Sequence, residues 1–370
     1  MSLKEILCQE KPIRLLQSAF NSGKVPGSYI FTGPDGVGKQ KTATQFAKLL
    51  LCQNPQTTDN FADPCGKCDS CLQFDAGSHP DFNLLYKELL EFTKEGKGKN
   101  TPSEMPIDVI REFLVQKVDN RPTLSNRKVY VITEAEKLNK FSQNALLKTL
   151  EEPPAYCTII LICTRLEKLL PTTKSRCQIL TFAPLSEDII LPRLKEMGLT
   201  PDSALFFTRF AQGSIGQACQ FANLEKQGAD IFRSKKTVLE IIAGCTYPQS
   251  LDAAAKILDE NKKIAKAWNE IEENTNKSDI TRKTHILLIR IIIAALHDAL
   301  KRHLDPANTL LNHDQPQQIR QIADRLHPEQ IADKIVTAYD AIKWVEASVN
   351  EKLIFDRLLL NLASSDTITV

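Results

Sequence analysis

Ser28-Tyr-Ile-Phe-Thr-Gly33-Pro-Asp-Gly-Val-Gly38-Lys39 is the stretch that decides the fold. Its first part, Ser28–Thr32, is a short apolar run that predicts a strand. Beyond Lys39, Ala43, Phe46, Ala47, Leu50 and Leu51 recur at helical spacing. Strand, glycine-rich turn and helix form the setting a phosphate-binding loop requires. Gly33, Gly36 and Gly38 let backbone N–H groups converge on anionic oxygens, and the helix N-terminus adds its partial positive charge. Lys39 is placed to reach the outer phosphates of a nucleotide. A plain strand-to-helix turn is the alternative, and the flanking strand and helix argue against it.

Two parts of a working nucleotide site are replaced. The pattern calls for Ser or Thr after the lysine, to give Mg²⁺ a hydroxyl, but this chain has Gln40. Thr42 lies two residues further on, on a different helix face. The second half should be an Asp-Glu pair at the end of a buried strand, one acid holding the metal and the other polarising water. Here Val129–Ile132 runs into Thr133-Glu134-Ala135-Glu136, so Thr133 stands at the metal position and Glu134 at the second. The loop reads as descended from a nucleotide site. Hydrolysis is not expected of it, and binding of ATP with Mg²⁺ is left open.

Outward from the loop, Asn83–Tyr86, Lys128–Ile132 and Thr158–Ile162 read as further strands, the last two β-branched runs typical of a buried parallel sheet. Ile107, Ile110, Leu114 and Val118 form a helical stripe, Gln143–Leu150 a helix stopped by Pro153-Pro154, and Glu95–Asn100 a polar loop. Strands alternating with helices argue for an α/β sheet with crossovers. After Phe182-Ala-Pro184 the strand signal fades. Residues 184–230 form a short helical block holding Gly213-Ser-Ile-Gly216. Residues 231–370 stay helical: Ile257, Ile264 and Trp268 share a face, Ile286–Leu304 reads as one longer helix, and breaks fall at Asp305-Pro306 and His327-Pro328. Ser364–Val370 reads as a frayed tail. The expected division is 1–183, 184–230 and 231–370.

Composition narrows the classes. The chain has 370 residues, 42% of them hydrophobic and 25% charged, as in ordinary globular proteins. Lys plus Arg (47) nearly balances Asp plus Glu (45), which argues against a coat for nucleic acid held by bulk charge. The richest apolar run, Ile286–Leu296, is interrupted by Arg290 and is too short for a bilayer, and Met1-Ser-Leu-Lys-Glu lacks a signal-peptide core. A cytoplasmic protein without a membrane partner is expected.

The ten cysteines are unevenly spread, with Cys65, Cys68 and Cys71 inside seven residues. Zinc takes four ligands in a tetrahedron, and four-cysteine sets are closed structural sites. Cys52 is the nearest fourth thiol, and His79 is the competing ligand. A zinc module over about residues 52–71 follows. Cys8, Cys157, Cys163, Cys219 and Cys245 sit in apolar stretches and read as core fillers.

Gly33–Lys39, the cysteine module, Ala145-Leu-Leu-Lys-Thr-Leu-Glu-Glu-Pro-Pro154 and Ser175-Arg176-Cys177 occur here in the order found in bacterial clamp-loader subunits. The chain resembles that family, the AAA+ proteins of the DNA polymerase III holoenzyme, well over residues 1 to 225 and beyond that only in helical character. The resemblance implies an AAA+ α/β domain with an inserted zinc knob, a small helical lid and an all-helical collar. It implies a subunit that helps load the sliding clamp onto primed DNA, with tau/gamma motor and delta subunits as partners. Polymerase chemistry would belong to another subunit. Gln40 and Thr133 depart from the motor pattern, and Gly213-Ser-Ile-Gly216 lacks the arginine of the family's second sensor. These departures favour the non-motor stator over an ATP-hydrolysing tau/gamma-type subunit. The family places its first sensor at Thr164, and its Ser-Arg-Cys arginine, Arg176 here, in the ATP site of a neighbouring subunit. The plainer alternative for Arg176 is a surface arginine paired with a local carboxylate. A rival of another class is a zinc-dependent nucleic-acid-binding protein, which a salt-sensitive DNA titration would reveal.

Overall fold

The computed structural model describes residues 3–95, 104–272, 277–305 and 309–364. Most of the loop expected at Glu95–Asn100, the break at Pro306 and the tail after Ser364 lie outside the described residues. The chain divides into two compact units. The first holds everything up to Ser186 together with Ser214–Gly216, and the second holds Glu187–Gly213 and the chain from Gln217 onward.

In the first unit, strands β1 (Ser28–Thr32), β4 (Phe82–Leu85), β5 (Lys128–Ile132), β6 (Cys157–Cys163) and β7 (Gln178–Thr181) make a five-stranded parallel sheet in the order β4-β5-β6-β1-β7. Between β1 and β4, β2 (Gln56–Thr58) and β3 (Phe61–Asp63) form an antiparallel hairpin. Helices α1 (Glu10–Asn21), α2 (Lys39–Leu51), α3 (Asp69–Asp75), α4 (Ile107–Ile110), α5 (Lys140–Glu151) and α6 (Pro171–Lys174) complete the unit. The chain after α4 continues as a wider π turn, Arg111–Val115.

The β-branched runs become the central strands because every residue of β1, β5 and β6 is buried. Alternate side chains point to opposite faces. Ile30, Tyr130, Ile132, Ile159 and Leu161 pack with Leu114, Leu146 and Leu150 in one core cluster. On the other parity, Tyr29 meets Phe46 of α2, and Phe31 meets Phe182. Strand β7 was not legible in advance: only Leu180 of its four residues is buried, as befits an edge. Asn139 caps α5 by accepting the Ser142 N–H, and the Pro153-Pro154 pair ends that helix at Glu151.

The second unit is helical throughout its described residues: α7 (Glu187–Glu196), α8 (Pro201–Phe210), α9 (Ile215–Leu224, apart from its first two residues), α10 (Ile231–Gly244), α11 (Ser250–Ile271), α12 (Lys277–Leu304), α13 (Pro316–Arg325), α14 (Pro328–Glu346) and α15 (Glu351–Ala363). Buried charge joins the early helices to the later ones. Lys235 of α10 is fully buried, pairs with Asp314 at 2.5 Å, and lies over the Phe206 ring of α8. Arg290 of α12 reaches Gln217 and the Phe210 carbonyl at 3.1 and 3.2 Å. Such pairs fix geometry more than they add stability. No helix of the described residues is long and apolar enough to cross a membrane.

Candidate functional site

The phosphate loop leaves β1 at Gly33, which a side chain could not replace. Its φ is +143°, and a Cβ there would stand 2.3 Å from the Phe182 carbonyl oxygen. Gly38 caps α2 in a left-handed conformation, with Lys39 as the first helical residue. Lys39 is 5% exposed, and its ammonium donates to the carbonyl oxygens of Gly33 (2.7 Å) and Pro34. Burial pulls its pKa down, while Asp35, Glu136 and Cys163 oppose the shift. The lysine expected to meet phosphates is thus bonded to the loop's own carbonyls. The Gly216 N–H donates to the Gly36 oxygen at 2.8 Å, so residues 214–216 bond directly to the loop. A Cβ on Gly216 would lie 2.8 Å from Gly36 Cα, so the close approach depends on glycine.

The positions that would hold Mg²⁺ are turned away or spent. Gln40 is exposed. Thr42 is buried and returns its hydroxyl to the Gly38 carbonyl at 2.9 Å, inside its own helix. Thr133 donates its hydroxyl to the Leu85 carbonyl at 3.2 Å. Glu134, expected at the site, is exposed, takes φ +49° and pairs with Lys137. Glu136 is half-buried beside Thr164. Its Oε1 accepts from both the backbone N–H (3.2 Å) and the hydroxyl of Thr164, and its charge acts on Lys39.

All four expected thiols come together. The sulfurs of Cys52, Cys65, Cys68 and Cys71 lie within 4.8 Å of one another. Cys52 Sγ is 3.6 Å from Cys65 Sγ and 4.0 Å from Cys68 Sγ. These separations are too long for a disulfide. They bracket the ~3.8 Å edge of a tetrahedron built on ~2.3 Å metal–sulfur bonds. Backbone N–H groups support the sulfurs: those of Lys67 and Cys68 point at Cys65 Sγ from 3.5 and 3.4 Å and hold its thiol down to about 6. Burial pushes the Cys52 and Cys71 thiols up. The cluster can hold one metal ion.

His79, the competing ligand, is committed elsewhere. Its Nδ1 accepts the Asp81 N–H at 3.1 Å. Its Nε2 lies 2.9 and 3.3 Å from the hydroxyls of Ser70 and Ser125. Both hydroxyls donate to the Leu51 carbonyl, so Nε2 carries the proton. The ring ties α3 to the 123–125 loop, and Cys52 takes the fourth place in the cluster.

Arg176 follows α6, whose seat is set from α5. Buried Gln143 donates to the Leu138 and Lys168 carbonyls and accepts from the Leu170 N–H at 2.8 Å. Arg176 Nη1 donates to the Thr172 carbonyl at 3.0 Å, and Nη2 meets Glu151 Oε2 at 3.1 Å. Within one chain this is the local carboxylate pairing of the plainer alternative. Arg176 Nε is buried without a partner. Glu151 carried no signal as a partner by itself, since only the fold brings it to Arg176. Among the core fillers, Cys157, Cys163 and Cys245 are buried, while Cys8 and Cys219 are half-buried.

A parallel sheet with a glycine loop and lysine heading the helix after its first strand, joined to a helical unit, defines a P-loop ATPase-like subunit of the AAA+ class. The family model described as "DNA polymerase III, delta subunit" matches residues 8–186, and a second one, for the C-terminal part of the delta subunit, matches 248–364. The chain belongs to this DNA polymerase III delta-subunit family. It is 29% identical to DNA polymerase III subunit delta' of Escherichia coli K12, over 85% of this chain and 82% of that one. It is 34% identical to subunit gamma/tau of Mycoplasma genitalium over 58% of this chain, but spans only 34% of that relative. In fold it is similar to a gamma subunit-related protein of Thermotoga maritima, with TM-score 0.50 and 17% identity over 96% of this chain and 99% of that one.

Proposed function

We propose that the chain is the delta-prime-type, non-motor subunit of a DNA polymerase III clamp loader and gives Arg176 to the ATP site of a neighbouring motor subunit. Its partners are the tau/gamma and delta subunits and, through the assembly, the sliding clamp and primed DNA in the cytoplasm. The observation that carries the non-motor reading is what stands at the metal-holding positions. Gln40 follows Lys39 where a hydroxyl is needed, and Thr133 follows β5 where a carboxylate is needed, with its hydroxyl bonded to the Leu85 carbonyl. A motor subunit needs both groups to hold the metal on its nucleotide.

Arg176 suits a role in trans because a guanidinium keeps its charge and presents N–H groups as a fork that matches phosphate oxygens. Developing charge on a γ-phosphoryl group is what such a fork stabilises. Zinc fits the thiol cluster by donor type, number and spacing, and would close the knob between α2 and α3. The test is reconstitution with tau/gamma and delta subunits. The complex should form and hydrolyse ATP with clamp and primed DNA, while the isolated chain should not. ATP turnover by the isolated chain, abolished by Lys39→Ala, would establish the motor reading instead.

A further inference from the structure

We infer that Glu151 is a positioning residue for Arg176, holding the guanidinium ready until a neighbour's phosphate replaces the carboxylate. The inference rests on the finger reading of Arg176 and adds to it the group that aims the finger.

Glu151 stands on a fixed point. It is the last residue of α5, and the Glu152 N–H still bonds back to the Lys148 carbonyl at 3.1 Å. The next residue, Pro153, is pressed against the foot of β1 so closely that a Cβ on Gly27 would fall 2.2 Å from its Cγ. The carboxylate therefore projects from a part of the sheet unit with little freedom. Arg176 hangs from the far end of α6, a helix of four residues, on a side chain with four rotatable bonds. Thr172, on the same turn, anchors Nη1, and Glu151 is the tie from Nη2 to another element.

The tie is built to be exchanged. Only Nη2 meets the carboxylate, while Nε, which can share a fork with it, is buried and has no acceptor. A buried donor without a partner is costly to leave so. Once the carboxylate is displaced, the guanidinium is free to turn and present this donor to a phosphate oxygen. The Glu151 side chain is 57% exposed, so its pairing with Arg176 is weak and a doubly charged phosphate can displace it. In the free subunit the same pairing restricts the finger to one orientation, and that ordering need not be repeated when the neighbour arrives.

The experiment uses the reconstituted complex with clamp and primed DNA, comparing Glu151→Ala, Glu151→Gln, Arg176→Ala and the double variant Glu151→Ala/Arg176→Ala. Turnover at the served site should fall roughly three- to tenfold in Glu151→Ala, the cost of re-ordering a long side chain. Glu151→Gln, which keeps an acceptor, should fall less. The KM for ATP should not move. The double variant should be no slower than Arg176→Ala alone, because Glu151 acts only through the arginine. Additive losses would mean that Glu151 supports the fold and not the finger. Turnover unchanged or raised in Glu151→Ala, with Arg176→Ala impaired, would overturn the positioning role alone. Unchanged turnover in Arg176→Ala would overturn the finger reading and this inference with it.

Discussion

The thiol cluster and the phosphate loop lie at opposite ends of one helix, α2, and have had different fates. At its C-terminal end, Cys52 converges with Cys65, Cys68 and Cys71 into a set that can close around a metal. At its N-terminal end the glycines and Lys39 keep the framework of a nucleotide site, but their hydrogen bonds run inward. A metal knob works through one local set of atoms, so its spacing carries its chemistry. A nucleotide site draws on several distant segments, and each can be lost while the loop keeps its shape. The difference separates a set of residues that is complete from one in which two positions have changed.

The largest effect expected from this contrast is at the knob. The isolated protein should carry about one zinc per chain, and Cys68→Ser should carry essentially none. Structural zinc in small sites contributes on the order of 10 kcal/mol of apparent binding free energy, so local melting of residues 52–71 should follow. Metal analysis with hydrogen exchange over that segment decides it. A metal-free wild-type protein with the segment fully protected would remove one side of the comparison.

Next in size is the exchange between chains. Arg176→Ala should leave folding and assembly intact, because the contacts it loses within its own chain, to the Thr172 carbonyl and the exposed Glu151 carboxylate, are weak. Turnover at the neighbouring motor site should fall on the order of 10³-fold, and total turnover only in part, since other motor interfaces keep their own arginines. Arg176→Lys should rescue poorly, since an ammonium cannot fork between two oxygens. Clamp loading and ATP turnover indistinguishable from wild type would return Arg176 to the role of a surface residue.

A smaller effect tests the boundary of the knob. His79→Ala removes a buried ring bonded to Ser70, Ser125 and Asp81. It should cost about 1–3 kcal/mol of stability by leaving buried polar groups unpaired. The zinc content should stay at one. Loss of the metal along with the ring would make His79 a ligand after all.

How much of this could be read beforehand follows from whether the signal is local. Strands β1, β5 and β6 were legible because they are buried on both faces and therefore read as continuous apolar runs. The edge strand Gln178–Thr181 was not, since its burial is intermittent. The hairpin within the cysteine segment was also missed, although Asp59 and Asn60, both at positive φ, are residues that tolerate such a turn. Cysteine spacing named Cys65, Cys68 and Cys71 and left Cys52 and His79 to compete for the fourth place, which the fold gives to Cys52. Spacing named Glu134, but it could not show that its carboxylate pairs with Lys137 on the surface, which depends on the left-handed backbone at that residue. Nor could it join Glu151 to Arg176, which are 25 positions apart.

The smallest effect is the most discriminating for the loop. Gln40→Thr with Thr133→Asp restores the two side chains that should meet Mg²⁺, yet it leaves Lys39 on its carbonyls and Gly36 on Gly216. A ligand that binds only an open form is weakened by the fraction of molecules that are open. Wild type and the restored pair carry the same penalty, so the pair should tighten Mg-ATP binding only by what the two new oxygens add, about threefold, a gain of under ~1 kcal/mol. Adding Gly216→Ala places a Cβ 2.8 Å from Gly36 Cα and must break the 2.8 Å hydrogen bond between the two backbones. One such bond is worth about 1 kcal/mol, so the triple variant should bind roughly fivefold more tightly than the double. Gly216→Ala alone should gain by the same factor from a weaker starting point, because the open fraction scales binding whatever the metal ligands are. Titration of a fluorescent ATP analogue into the four proteins reads all of this. Strong binding by the double variant would show that residue loss alone silenced the site, and that the bond between Gly36 and Gly216 is incidental.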